Sequence, residues 1–379
     1  MKRKSIISIL VVGAIMGVII FLESGKVDMV KIQDGLGDLN ISLFGTDDDS
    51  SQDRIQKKQE QYEFAKEIST PDGFINTDGS TIEELIGEKI ILVDFWTYSC
   101  INCQRTIPYL NSWHEKYADE GLVILGIHTP EFEFEKEYAN VKRAVEQFGI
   151  MYPVILDNDF STWQSYKNRY WPRKYLIDID GFIVYDHIGE GGYNETEEKI
   201  VELLNERRGV LGEQGNVSIN TASPVGVESI TDVRTPETYL GAKRVEYLAN
   251  LPSEKCISMS CTYEVRGEIE QNTFQLQGVW QLRPEESTLI SGEGSLFLHF
   301  FAGKVNVVAG SETPVEAELY LDGKRVEDEF AGAHVKNGSV IFQNHDLYNL
   351  IDLKGDAGAH ILEIRVKKSG LSAFAFTFG

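Results

Sequence analysis

The spacing of apolar residues changes character along the chain, and each change marks an element boundary. Between about residues 65 and 208, short apolar runs alternate with stretches whose apolar residues recur every three or four positions. The runs predict strands over Lys89–Phe95, Leu122–His128, Tyr152–Leu156, Lys174–Asp178 and Phe182–Asp186. The wider spacing predicts helices over Asn102–Ala118, Glu137–Phe148, Ser161–Lys167 and Thr196–Glu206. Asp180-Gly181 is a hairpin turn signal between the last two strands. A β-α-β half followed by a hairpin and a terminal helix makes an α/β sandwich around a central sheet. From about residue 236 the period falls to two. Val315, Ala317, Leu319 and Leu321 alternate with Glu316, Glu318 and Tyr320, then Asp322-Gly323 turns the chain. Leu362–Val366 and Phe374–Phe378 repeat the pattern, so residues 236–379 read as an all-β, jelly-roll-like sandwich. The Gly-, Ser- and Asn-rich stretch 209–235 reads as a linker.

Lys2, Arg3 and Lys4 precede an uncharged, mostly apolar run from Ser5 to Leu22, long enough for one membrane-spanning helix. A cleaved signal peptide and a retained anchor both fit. No Ala-x-Ala-like site follows and no Cys stands near to take a lipid, which favours a transmembrane anchor over residues 1–23. The basic flank then leaves the rest of the chain on the extracytoplasmic side of the cell membrane. Residues 24–64, with the acidic patch Thr46-Asp47-Asp48-Asp49-Ser50-Ser51, read as a tether carrying a short helix over Gln52–Lys66. At 379 residues the chain exceeds one ordinary core. Its net charge of -23 argues against nucleic acid or anionic membrane surfaces as partners.

Cys100-Ile101-Asn102-Cys103 directly follows the apolar run Ile90–Trp96 and opens a helical pattern. The positive end of a helix dipole favours thiolate, the nucleophile of disulfide exchange, and a second sulfur one turn on can resolve a mixed disulfide. Asp94, six residues earlier, would lie beneath the pair as a proton acceptor with a pKa raised by burial, or else face solvent. Pro108 interrupts the helical pattern without ending it. Pro172, just before a strand, is either an ordinary trans loop proline or a cis residue that bares the backbone of Trp171 for an extended substrate. Gln104 stands where haem attachment would need a histidine. Cys256 and Cys261 read as a structural disulfide closing a short loop, with free buried thiols and a second redox pair as alternatives. No zinc site is expected, because the two cysteine pairs fall in different domains. No other metal or cofactor is called for.

Val93-Asp94-Phe95-Trp96, Cys100-x-x-Cys103, Pro108 and Pro172 together resemble the thioredoxin fold, in its TlpA/ResA-type membrane-anchored branch. Trp96–Cys103, Arg105-Thr106-x-Pro108-Tyr109-Leu110 and His128-Thr129-Pro130-Glu131-Phe132 resemble more closely the extracytoplasmic part of DipZ proteins. Thr235–Gly241 and the final Phe376-Thr377-Phe378-Gly379 resemble their C-terminal β-domain. The resemblance implies a thiol:disulfide oxidoreductase in which Cys100 attacks, Cys103 resolves, Asp94 is the buried carboxylate and Pro172 is cis. It also puts Trp96, His128, Glu131 and Trp171 near the dithiol, as candidate substrate contacts. Disulfide-containing exported proteins, including apocytochrome c, are the implied substrates. DipZ proteins carry their own CcdA-type electron-delivery module, whereas here a single anchor stands in its place, so a separate membrane donor is implied. The β-domain resembles carbohydrate-binding sandwiches, with Trp280 or Tyr239 as candidate sugar-stacking rings. Two other functions fit: a peroxiredoxin-like thiol peroxidase, against which Val93 stands where a proline would be sought, and a glycan- or partner-binding module with a secondary dithiol.

Overall fold

The computed structural model describes residues 48–79, 81–219 and 232–379. The expected anchor, most of the tether and the middle of the linker lie outside the described residues. Among the described residues no helix is long and apolar enough to cross a membrane.

The first half is built on a six-stranded sheet ordered β1-β4-β3-β2-β5-β6. Its strands are β1 (Gly73–Ile75), β2 (Ile90–Trp96), β3 (Leu122–His128), β4 (Val154–Leu156), β5 (Arg173–Ile177) and β6 (Ile183–Ile188). β2, β3 and β4 are parallel, while β5 and β6 run back as the hairpin that Asp180-Gly181 announces. Every residue of β2 is buried, as expected of a central strand covered on both faces. Ile91, Val93 and Phe95 pack into one core, Ile90, Leu92 and Trp96 into the other. Asp94 shares the parity of the second set, so it faces the layer containing the Ile101–Tyr117 helix.

Several boundaries differ from the sequence reading. The helix expected over Gln52–Lys66 lies at Asp48–Gln59. Its Lys58 ammonium sits among Asp178, Asp180 and Glu206, 2.6 Å from Asp178 and 2.9 Å from Asp180, so a fixed cation already occupies that acidic cluster. The terminal helix runs from Tyr193 to Leu211 and stops at Gly212, whose φ of 70° only glycine adopts without strain. Helix therefore continues into residues read as linker. β1, the Ile82–Leu85 helix and the 3-10 turn Glu133–Lys136 are too short to produce a readable period.

The second half is all-β. Its strands are β7 (Thr238–Tyr239), β8 (Ser260–Tyr263), β9 (Phe274–Leu282), β10 (Ser287–Ala302), β11 (Lys304–Gly310), β12 (Val315–Leu321), β13 (Lys324–Arg325), β14 (Ser339–Phe342), β15 (Asp346–Asp352), β16 (Gly358–Val366) and β17 (Ser372–Phe378). The main path runs β13-β12-β16-β10-β17-β11-β15, with antiparallel ladders throughout. Trp280 is fully buried in this half's core, and its indole N–H donates to the Gln277 carbonyl, so it offers no face to a sugar. Cys256 and Cys261 form a disulfide between the Glu254–Ile257 turn and β8.

β12 keeps the expected alternation, but β17 does not: Ala373 to Phe378 are all buried. Ala373, Phe376 and Phe378 point into the β core, while Phe374 and Ala375 are covered from outside by Phe132 and Phe134 of the first half. The Phe374 ring centroid lies 5.2 Å from Phe132 and 4.7 Å from Phe134, in edge-to-face geometry. His345 stacks on Phe134, and its carbonyl accepts from the Tyr98 hydroxyl at 3.2 Å. The two halves thus share a packed apolar seam.

Candidate active site

Cys100 is the N-cap of the Ile101–Tyr117 helix, with extended backbone and a half-buried side chain. Cys103, one turn on, is buried. Both are free thiols. Burial pushes the Cys103 thiol well up, with the Cys100 sulfur and then the Asp94 charge adding to the effect. Pro108 sits inside the helix, which runs on to Tyr117. The loop ahead of Cys100 is pinned by the buried Glu135 carboxylate. Glu135 accepts from the Ser99 hydroxyl at 2.7 Å, and from the backbone N–H groups of Ser99, Glu131 and Phe132.

Asp94 is buried, and burial raises its pKa to about 7. One carboxyl oxygen has no hydrogen-bond partner among the described residues. Lys174, directly opposite it in the β2–β5 ladder, is also fully buried. Its ammonium donates to the Gly189 carbonyl at 3.3 Å and lies 5.7 Å from the Tyr193 ring centre. Burial lowers the Lys174 pKa, opposed first by the Asp94 charge, and the Lys174 charge in turn limits the rise at Asp94. On the other side, Gly126 pairs with Asp94 in the parallel ladder. A Cβ there would come within 3.1 Å of both Trp96 Nε1 and the Tyr152 ring, so glycine is what leaves room for both rings beside Asp94. A group poised near neutrality beneath a buried thiol can take that thiol's proton. Replacing Lys174 with Met is expected to raise the Asp94 pKa above its value of about 7. Carboxyl carbon NMR through a pH titration checks this, and an unchanged or lower midpoint refutes it.

The Trp171–Pro172 peptide is cis. The Trp171 indole N–H donates to the Thr129 carbonyl at 3.0 Å, and its ring packs on Trp163. Trp171 and Glu131 line a cleft that also contains Cys100. Trp96 and His128, expected at the substrate face, are instead buried beneath it, with their rings 5.1 Å apart. Burial drives the His128 pKa down to about 3, so its ring is neutral packing. The second half closes the other side of the cleft. The Tyr239 hydroxyl bonds Glu131 at 2.9 Å and Glu237 at 2.8 Å, and Arg244 reaches Glu131 at 2.6 Å while lying 3.6 Å over the Tyr239 ring. That ring is therefore covered by a guanidinium and is not a free sugar platform. Burial first, then the Glu131 charge, raises the Glu237 pKa to about 7. Arg105 pairs with Glu190 at 3.3 Å and donates to the Phe378 carbonyl.

Sequence reasoning placed Cys100, Cys103, Asp94, Pro172, Trp171 and Glu131 together, and they do lie in one region. It missed Lys174, Tyr152, Glu135 and the second wall. Cys256 and Cys261 lie apart, in the β half.

Residues 61–186 match the model of the AhpC/TSA family, and residues 235–379 match that of the thioredoxin like C-terminal domain. Protein DipZ of Mycobacterium tuberculosis is 34% identical over 313 residues, 81% of this chain but 41% of its own length. The chain thus spans less than half of that relative. Thiol-disulfide oxidoreductase YkuV of Bacillus subtilis is 30% identical over 126 residues, 33% of this chain and 84% of its own. Thiol-disulfide oxidoreductase ResA of Bacillus thuringiensis is 30% identical over 151 residues, 39% of this chain and 80% of its own.

Proposed function

We propose, for a chain that belongs to the thioredoxin-like thiol-disulfide oxidoreductases, that it reduces disulfides in exported proteins from an anchored, extracytoplasmic position. The observation that carries this reading is the vertical arrangement of the site: a half-buried Cys100 at a helix N-cap, a buried Cys103, and a carboxyl beneath with a pKa of about 7. The Cys100 thiolate attacks one sulfur of a substrate disulfide. The S–S bond breaks, the other substrate sulfur leaves as a thiolate, and a mixed disulfide forms. Cys103 then gives its proton to Asp94 and attacks the Cys100 sulfur, releasing the second substrate thiol. Two electrons have passed to the substrate, and Cys100–Cys103 is left as a disulfide. Trp171, ahead of cis-Pro172, forms no backbone hydrogen bond among the described residues, and offers an edge to an extended substrate.

Two electrons must return to the pair after each cycle, and outside the cytoplasm no thiol pool supplies them. A separate membrane donor of the CcdA type fits that need, and cytochrome c maturation is one process with suitable substrates. The basic residues Lys2, Arg3 and Lys4 before the apolar run support the anchor and its orientation. The reduction potential of the pair in the full chain tests the direction of flow. A value near roughly -270 mV, as in thioredoxin, is expected, and one near roughly -120 mV, as in DsbA, would make the protein an oxidant. Consumption of hydrogen peroxide faster than of protein disulfides would replace the reading with a peroxidase.

A further inference from the structure

Resting on the oxidoreductase reading, we infer that the β half is the specificity wall of the reactive site, and that the substrate is an extended polypeptide segment held between the two halves. The cleft around Cys100, about 480 Å³, falls in the range that takes a ligand of a few residues. One side is Cys100, Asn102, Glu131 and Tyr170-Trp171. The opposite side is Glu237, Tyr239 and Phe378 of the β half, with Val233 from the segment leading into it. A cysteine on an open surface accepts any disulfide that can touch it. Here a disulfide must pass between two walls, which admits a strand and hinders a folded surface.

The second wall is fixed in place. Glu131 is held by Tyr239 and Arg244, Arg105 reaches the Phe378 carbonyl, and the Phe132–Phe134–Phe374 seam lies behind. Most of the cleft's charges are engaged within it: Glu131 pairs with Arg244, Arg105 with Glu190, and the Tyr239 hydroxyl bonds Glu237, while the exposed Arg169 is a further cation among its lining residues. With its charges engaged apart from Arg169, and with Trp171, Tyr170, Val233 and Phe378 along its sides, the cleft suits an extended segment whose cysteine is flanked by small or apolar residues. Burying a strongly charged segment there would compete with pairs already made.

Val233 is exposed, lies in the segment that leads into the β half, just before Arg234 and Thr235, whose N–H groups donate to the Phe301 carbonyl of β10, and takes no part in the chemistry, so Val233→Trp narrows the cleft without touching the dithiol. The probes are a ten-residue Ala/Ser-rich peptide whose single cysteine carries a 5-thio-2-nitrobenzoate disulfide, and the small reagent 5,5′-dithiobis(2-nitrobenzoate). Both release the same chromophore when Cys100 attacks. In single turnovers of the reduced full chain, Val233→Trp is expected to slow release from the peptide at least tenfold and from the small reagent less than twofold. Equal effects on both probes, including no effect on either, overturn the wall. No release from either probe by the unaltered protein would instead sink the oxidoreductase reading on which it rests.

Discussion

Replacing Cys103 with Ser is expected to stop the cycle at the mixed disulfide, so that the protein leaves the reaction covalently joined to its substrate. The attack of Cys103 on Cys100 is intramolecular, and well-oriented intramolecular steps carry effective molarities of about 10⁵ M or more. A serine hydroxyl does not replace that thiol, so release falls to external thiols, and turnover should drop on the order of a thousandfold or more. Intact-mass analysis after mixing Cys103→Ser with a disulfide peptide should show the adduct, and dithiothreitol should remove it. The asymmetry of burial sets the direction: Cys100 is half-buried and reachable, whereas Cys103 is enclosed and its thiol is pushed towards the protonated form. Cys100→Ser should therefore trap nothing. A trap formed by Cys100→Ser and not by Cys103→Ser would reverse the assignment.

Asp94→Asn should move activity and stability in opposite directions. In the folded chain the Asp94 pKa rises from 3.8 to about 7, so the folded state binds this proton more tightly than the unfolded state across that interval. The stabilisation linked to that proton is complete below about 3.8 and is lost as pH rises through about 7. A displacement of this size, with the opposing Lys174 charge already included, corresponds to about 4 kcal/mol at most. Asparagine carries no such penalty, so the variant should melt with the unaltered protein near pH 4 and above it at pH 8. Activity should go the other way. Without an acceptor for the Cys103 proton, the resolving step should slow by roughly a hundredfold at pH 8 and lose its rise through pH 7. Melting curves at both pH values and stopped-flow rates from pH 5 to 9 check the pair of effects. A variant less stable at pH 8, or one that keeps the rise in rate, contradicts this account of Asp94.

Legibility in the sequence followed how local each signal was. The Cys-x-x-Cys pair and the strand carrying Asp94 lie within fourteen consecutive residues, Ile90 to Cys103, and the helix follows on directly to Tyr117, so a single apolar run displays them. Leu122–His128 has the bounds expected of it because its run is uncharged and almost wholly apolar as far as Ile127. Lys174 was not recognisable: a lysine beside Arg173 at a strand start reads as solvated, and only pairing across the sheet sets it against Asp94. Tyr239, Glu237 and Arg244 reach the cleft from more than 130 residues beyond the cysteines, so no local pattern joins them to the dithiol. The resemblance puts Trp96 and His128 near the dithiol as candidate substrate contacts, but side-chain direction along β2 and β3 sends both rings inward.

The strand β17, with no solvent-facing position from Ala373 to Phe378, has a consequence for how the molecule comes apart. One of its faces belongs to the β core and the other carries the ring of Phe374 against Phe132 and Phe134. Melting either half alone would strip apolar cover from the other. The two halves should therefore lose structure in one cooperative calorimetric transition, so that damage to the β half silences the dithiol chemistry at the same temperature at which it unfolds.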